Sequence, residues 1–300
     1  MNPAAASPVA DVRPGTIYVV ATPIGNLGDM TARAREVLSA VSRIAAEDTR
    51  HTRQLLQQLG IDGDLTSLHE HNESEKSAAL LERVAGGESL AIVSDAGTPL
   101  ISDPGFPLIA AARQRGIAVV AVPGACAAIA ALSIAGLPTD RFIFEGFLPA
   151  KSAARRSHLT SLAMEPRTLV FYEAPHRLRE TLDDMATVFG AERRATVSRE
   201  LTKRFETSYS GSLQELTGQA LQDENMSRGE IVIVVAGADP QPNALALDAQ
   251  PLLRALLDEL SPAQAAKIAA RITGTKRAEL YDLALRIAGK AAGEDQEVTT

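Results

Sequence analysis

From Gly15 onward the chain alternates short β-branched apolar runs with segments whose apolar residues return every three or four positions. TIYVVATP, RIAAED, LTSLHEH, SLAIVSDA and AVVAVP read as strands. Between and after them ARAREVLSAV, TRQLLQQLG, SEKSAALLERVAGG, PLIAAARQRG and an alanine-rich stretch read as helices. Strands and helices in strict alternation predict a parallel or mostly parallel sheet with helices on its faces, so the fold class is α/β.

After Leu137-Pro138 the rhythm changes. RFIFEGFLP, TLVFYEAP, ATVSREL, FETSYSG and GEIVIVVAG read as strands, with helices at about 153 to 164, 176 to 189 and 213 to 222. A second, mixed α/β lobe ends near Gly237, and ADPQPNALALD reads as a linker. QPLLRALLDEL, SPAQAAKIAARITG and TKRAELYDLALRI then form three helices resembling a helix-turn-helix; Ser261, Pro262 and Gln264 open the second and Gly274 closes it. The expected organisation is a disordered tail over 1–14, an N-terminal α/β domain over 15–138, a C-terminal α/β domain over 139–238, a helical module over 245–288 and a disordered tail over 289–300.

The charge-free run from Gly116 to Thr139 is long enough to raise the question of a membrane span, but Pro123 and Gly124 interrupt it. A buried strand, a turn and a buried helix fit it better, and no membrane contact is expected. The 300 residues, 45% of them hydrophobic, suffice for one large core or two smaller ones. A net charge of -7 means that any nucleic-acid contact must come from local basic patches, of which Lys151 to Arg156 and Arg199 to Arg204 are two. The single cysteine, Cys126, suits a reducing, cytoplasmic compartment, and the first residues lack the basic and apolar segments of a signal peptide.

Ligands of an open parallel sheet bind beyond the carboxyl ends of its strands. Four loops stand there: ATPIGNLGDMT, AAEDTRHT, SDAGTPLISDPG and VPGACAA. Glu47 and Asp48 end the second strand where a ribose-binding acid of a nucleotide fold would sit. Neither G-x-G-x-x-G nor G-x-x-x-x-G-K-[ST] occurs, however, and prolines 99, 104 and 107 remove N–H donors where a phosphate cradle needs them. The third loop offers carboxylates and carbonyls, which suit hydroxyl, amine or cationic groups; S-adenosyl-L-methionine, a sulfonium with an amino group and no phosphate, matches them. A rigid turn in which Asp95 and Asp103 cap the following helix is the plainer alternative.

IYVVATPIGNLGDMTARAREVL, EDTRHTRQLL, SLHEHNE, SDAGTPLISDPG, VPGACAAIAALSIAGLPTDRFIFEGFLP, FYEAPHRL, RELTKRFE and RGEIVIVV together resemble the small-subunit ribosomal RNA methyltransferases of the tetrapyrrole-methylase superfamily, over roughly residues 15 to 288. The resemblance implies two α/β lobes with the cofactor, S-adenosyl-L-methionine, in the cleft between them. It further implies 2'-O-methylation of a cytidine in the decoding region of small-subunit ribosomal RNA, and a homodimer. Ser94-Asp95-Ala96-Gly97-Thr98-Pro99 matches the superfamily's Gly-Asp-Pro loop, so Asp95, Ala96, Gly97 and Thr98 are expected at the cofactor, with Pro23 from the first loop and Pro123, Gly124, Cys126 and Ala127 from the last. Many relatives carry serine after that Pro-Gly turn, whereas this chain has Cys126-Ala127, which leaves a backbone contact.

Methyl transfer to a ribose hydroxyl needs a positioned base. Glu70, in HEHNE, and Glu173, in FYEAPHR, are the candidates, with Glu47, Asp48 and Arg50 on a neighbouring strand end. The last three form, on the plainer view, a salt-bridged helix start. Lys151, Arg155, Arg156, Arg199, Lys203 and Arg204 are expected to touch RNA phosphates, and Lys267, Arg271, Lys276 and Arg277 of the helical module suit the same task. His69 and His71 share one strand face but lack a third ligand, so no metal is expected, and Cys126 reads as a small packing residue. The rival readings are a methylase of a tetrapyrrole or other small molecule, and a non-catalytic cofactor-binding RNA regulator.

Overall fold

The computed structural model describes residues 12–69, 73–239 and 249–294. The expected N-terminal tail lies almost wholly outside them. Residues 12–238 pack as one unit and the chain from Asp239 onward as another.

Within the first unit, β1 (Thr16–Val20), β2 (Arg43–Ala46), β3 (Leu65–Ser67), β4 (Leu90–Val93) and β5 (Ala118–Val122) form a sheet in the order β3-β2-β4-β1-β5. Every pairing in it is parallel, as expected. Central strands covered on both faces read as continuous apolar runs, which is why LAIV of β4 is buried at all its positions. Alternation of side chains then feeds two cores. Tyr18, Ala91 and Val93 meet α1 (Ala32–Ala40) and α2 (Thr49–Leu59) through Val37, Leu38 and Leu56. Ile17, Leu90 and Ile92 meet α3 (Glu73–Ala85) and α4 (Phe106–Gln114) through Leu81, Val84 and Leu108.

The second sheet has the order β6-β7-β10-β8-β9, from β6 (Phe142–Phe147), β7 (Thr168–Glu173), β8 (Arg194–Arg199), β9 (Thr207–Ser212) and β10 (Ile231–Val235). Only β6 with β7 is parallel, and a bulge between Phe144 and Gly146 interrupts that pairing; the other neighbours are antiparallel. Helices α6 (Ser152–Leu162), α7 (Leu178–Phe189) and α8 (Leu213–Gln222) cover one face through Leu159, Leu182, Met185 and Leu216. The opposite face is covered by α5 (Ala127–Ile134), the helix that follows the last strand of the first sheet. Ala128, Ala131 and Leu132 pack there on Val170, Val232 and Val234, since small side chains let the helix sit close to the strands. A division of the chain at 138 therefore cuts through shared packing, and α5 joins the two sheets.

The second unit holds α9 (Ala249–Leu257), α10 (Pro262–Thr273) and α11 (Arg277–Glu294) around Leu253, Ala266, Ala269 and Leu280. Gln264 Oε1 accepts the Ser261 N–H at 3.3 Å, and Gly274 ends α10 with φ of 71°, as read from the sequence. Helix α11 continues through Glu294, past the expected boundary at 288, because alanines sustain helix there. Among the described residues no helix is long and apolar enough to cross a membrane.

Candidate functional site

Three of the four singled-out loops are stitched together at the carboxyl edge of the first sheet. Thr22 N donates to the Gly97 carbonyl at 2.9 Å and Gly97 N returns the bond to the Thr22 carbonyl at 3.1 Å. Thr98 Oγ1 donates to the Ala125 carbonyl at 3.1 Å, tying the loop after β4 to the loop after β5. Gly97 has φ of 82°, a conformation that favours glycine, and a Cβ there would stand 3.2 Å from Ile24 Cγ2, a tight contact. The loop after β2 joins through Asp48, whose main-chain N–H donates to Asp95 Oδ1.

These loops form one wall of a cavity of about 450 Å³, and the second sheet forms the other. Asp95, Ala96, Gly97 and Thr98 line it together with Glu47, and Cys126 and Ala127 line it from the start of α5. Opposite stand Phe147, Tyr172, Glu173 and Glu230. Pro23, Pro123 and Gly124 lie off the wall; Ile24 takes the place expected of Pro23, and a Cβ on Gly124 would meet Ala21 Cβ at 2.9 Å. Those three residues shape the turns behind the wall.

Asp48 keeps the plainer of its two roles. Its carboxylate caps α2 by accepting Arg50 N at 2.8 Å and pairs with Arg50 Nη2 at 3.0 Å. The Arg50 side chain, through that hydrogen bond above all, draws the Asp48 carboxyl from 3.8 down to about 2. Such a carboxylate is a poor proton acceptor near neutral pH. Arg50 itself is exposed. Glu70, like His71, lies outside the described residues.

Glu173 is buried on the cavity wall with both oxygens occupied. Oε1 accepts Ala174 N at 2.7 Å and lies 3.2 Å from Arg177 Nε, while Oε2 accepts the Thr181 hydroxyl at 2.5 Å. Arg177 in turn donates to the Leu148 carbonyl at 2.7 Å. In the structure the Glu173 carboxylate holds the loop after β7 in place through these contacts.

Of the cations expected on RNA, Lys151 and Arg204 are exposed, the latter with its guanidinium 5.5 Å above the Phe205 ring. Arg155 is fully buried instead. Its Nε donates to Asp184 Oδ2 at 2.6 Å, and Asp184 also accepts from Arg156, so α6 is riveted to α7 and Arg155 reaches no phosphate. Arg199 is likewise buried and donates to the carbonyls of Arg228 and Phe205, each at 3.0 Å. Lys203 pairs with Glu200 at 2.9 Å and Glu230 at 3.1 Å, its stem lying against Gly25. A charge run reads the same in a sequence whether its members are solvated or paired.

Among the cavity residues that the sequence did not assign to the site are Tyr172, Phe147 and Asp103. Tyr172 alternates with Glu173 along β7; its hydroxyl accepts Ala128 N at 3.3 Å, supplying to the first turn of α5 the cap that Cys126 does not. Burial, chiefly, pushes the Tyr172 hydroxyl up to about 12. Phe147, on the rim, packs edgewise on Tyr172 with ring centroids 5.6 Å apart. Asp103 caps nothing: the residue preceding α4 is Gly105, without a side-chain cap. Burial raises the Asp103 carboxyl, the charge of Asp95 adds to that, and a hydrogen bond with Ser94 opposes it.

Residues 16–217 match the family described as Tetrapyrrole (Corrin/Porphyrin) Methylases, and residues 243–288 match the RsmI C-terminal HTH domain. Ribosomal RNA small subunit methyltransferase I of Xylella fastidiosa, strain Temecula1, is 57% identical over 268 residues, which cover 89% of this chain and 98% of the relative. The protein of the same name from Pseudomonas aeruginosa is 55% identical, covering 92% of this chain and 99% of its own length. Uroporphyrin-III C-methyltransferase of Thermus thermophilus, solved in complex with S-adenosylhomocysteine, shares the fold with a TM-score of 0.52 at 16% identity, over 74% of this chain and 97% of that one. With matched loops on one cavity wall and this similarity along nearly the whole length, the chain belongs to the ribosomal RNA small subunit methyltransferase I family of tetrapyrrole-methylase-type proteins.

Proposed function

We propose that the chain transfers a methyl group from S-adenosyl-L-methionine to the 2'-hydroxyl of a cytidine in the decoding region of small-subunit ribosomal RNA. One observation carries the reading: the donor side of the cavity at the sheet's carboxyl edge is walled by the carboxylates Glu47 and Asp95, with no lysine or arginine among the described lining residues. Such a wall favours a sulfonium and an amine over a polyphosphate. Asp95 to Thr98, Cys126 and Ala127 hold the donor, and Tyr172 orients the turn that bears the last two.

A nucleotide held in a helical stack reaches the cleft by swinging its base out of that stack. Phe147, 58% exposed on the rim, offers its face to an unstacked base, as aromatic side chains do in single-strand recognition. Lys151 and Arg204, with the exposed Lys267, Arg271, Lys276 and Arg277 of the helical unit, supply phosphate contacts. The protein works as a homodimer in the cytoplasm.

The test uses purified chain, labelled donor and small subunits that lack the modification. Nucleoside analysis is expected to yield 2'-O-methylcytidine alone. Label on a base, or transfer to a porphyrin precursor in place of RNA, overturns the reading.

A further inference from the structure

We propose that Asp103 is the catalytic base that takes the proton from the attacking hydroxyl. The assignment rests on the methyl-transfer reading above. It begins with placement: Asp103 lines the cavity on the segment between the Asp95–Thr98 wall and α4, and it is half-buried. The backbone around it is held in an unfavourable shape. Leu100 (φ 72°) and Ser102 (φ 67°) carry side chains in the left-handed region, and Gly105 follows at φ 124°. Packing maintains this shape. Ser102 stands where a Cβ on Gly146 would meet its Oγ at 3.1 Å, so the segment is braced on the β6 bulge, and Leu100 lies over Gly105. Strain kept in place by surrounding structure is a mark of functional positions.

Asp103 hydrogen-bonds with Ser94, whereas several neighbouring carboxylates are tied to main-chain N–H groups or to cations. Glu173 accepts from Ala174 and Thr181 and pairs with Arg177, and Asp48 is held by its cap and Arg50. Asp95 accepts the Asp48 N–H, and Glu230 pairs with Lys203. Six titratable groups share the cavity with Asp103: Asp95 beside it, Glu47 after β2, Cys126 at the start of α5, Tyr172 and Glu173 on β7, and Glu230 before β10. Among the described residues no lysine or arginine lines that wall to hold the Asp103 carboxyl down. Burial and the Asp95 charge raise it, which brings it closer to the working range of a base.

In the step, the Asp103 carboxylate accepts the hydroxyl proton as the ribose oxygen bonds to the methyl carbon. The carbon–sulfur bond breaks with its electron pair left on sulfur, and the donor departs as the neutral thioether. Asp103 then returns its proton to solvent.

Single-turnover transfer to small subunits, measured from about pH 5.5 to 9 with the full chain, tests the assignment. Asp103→Asn is expected to bind S-adenosylhomocysteine within about three-fold of wild type yet to transfer methyl about 100- to 10,000-fold more slowly. The wild-type rate rises with pH to a plateau; the residual rate of the variant lacks that acid limb, and Asp103→Glu recovers part of the loss. Transfer by Asp103→Asn within about three-fold of wild type, an unchanged acid limb, or donor affinity lost more than about ten-fold overturns the role of Asp103 alone. Wild-type protein that binds the thioether and methylates no RNA overturns the functional reading, and the assignment with it.

Discussion

The main-chain N–H of Asp48 donates to Asp95 Oδ1 across 3.0 Å, so the first turn of α2 and the loop after β4 are set by one bond. Removing that acceptor leaves an N–H unmatched beside the cavity, at a cost of about 1 kcal/mol, and takes a negative charge off the donor wall. Asp95→Ala is therefore expected to lower Tm slightly and to weaken S-adenosylhomocysteine binding at least about ten-fold, close to 1.4 kcal/mol. Calorimetric titration reads the second effect, and unchanged affinity would remove Asp95 from the donor site.

Arg155 and Lys151 lie four positions apart in one basic run and should respond in opposite ways. Arg155→Ala takes away the fully buried partner of Asp184, leaving that carboxylate to Arg156 and Ser152, and opens a cavity, so about 2–4 kcal/mol of unfolding free energy should disappear from denaturant titrations. Lys151→Ala leaves stability unchanged but shallows the dependence of log RNA affinity on log salt by about one. Equal stability of the two variants would contradict the burial of Arg155.

Phe147 touches the cavity only from its rim. Truncation to alanine should raise KM for the RNA about 5- to 100-fold, as loss of one base stack does, while donor affinity stays as it was. Phe147→Trp restores the surface and should restore KM. A rise in donor Kd instead would put Phe147 in the donor pocket.

Tyr172 predicts an alkaline effect with a definite sign. Its hydroxyl titrates at about 12 in the folded chain against an ordinary value of 10.0, so folding favours the protonated form. The associated stability is complete below pH 10 and is lost as the pH climbs toward 12. Tm of wild type should fall across that window more steeply than Tm of Tyr172→Phe, measured by thermal scans at matched salt. Parallel curves would show that the phenol is solvated in the folded state.

Local order was legible in the residues themselves. Alternating apolar strands and amphipathic helices specify the parallel sheet, because strand and helix periods are properties of the backbone. Ser261, Gln264 and Gly274 marked the ends of α10, since caps act within a few residues of the groups they satisfy. The loops of the cavity were legible for a related reason: strand carboxyl ends converge on one edge, and unusual residues cluster there.

Which surface covers which, by contrast, only the tertiary structure decided. The alanine-rich run tells that α5 is buried, but not that it packs on β7 and β10 of the second sheet rather than on the sheet it follows. The cations of KSAARR and RELTKR look alike in sequence; burial beside Asp184 or a carbonyl row divides them into rivets and contacts. Glu173 and Asp103, both acids on the cavity, differ on the same ground: one is buried with hydrogen bonds and an ion pair, the other half-buried beside Asp95. A carboxylate's chemistry depends on the donors that reach it, and which neighbours do so is set by how the loop folds back and how deeply it is buried, not by their spacing along the chain.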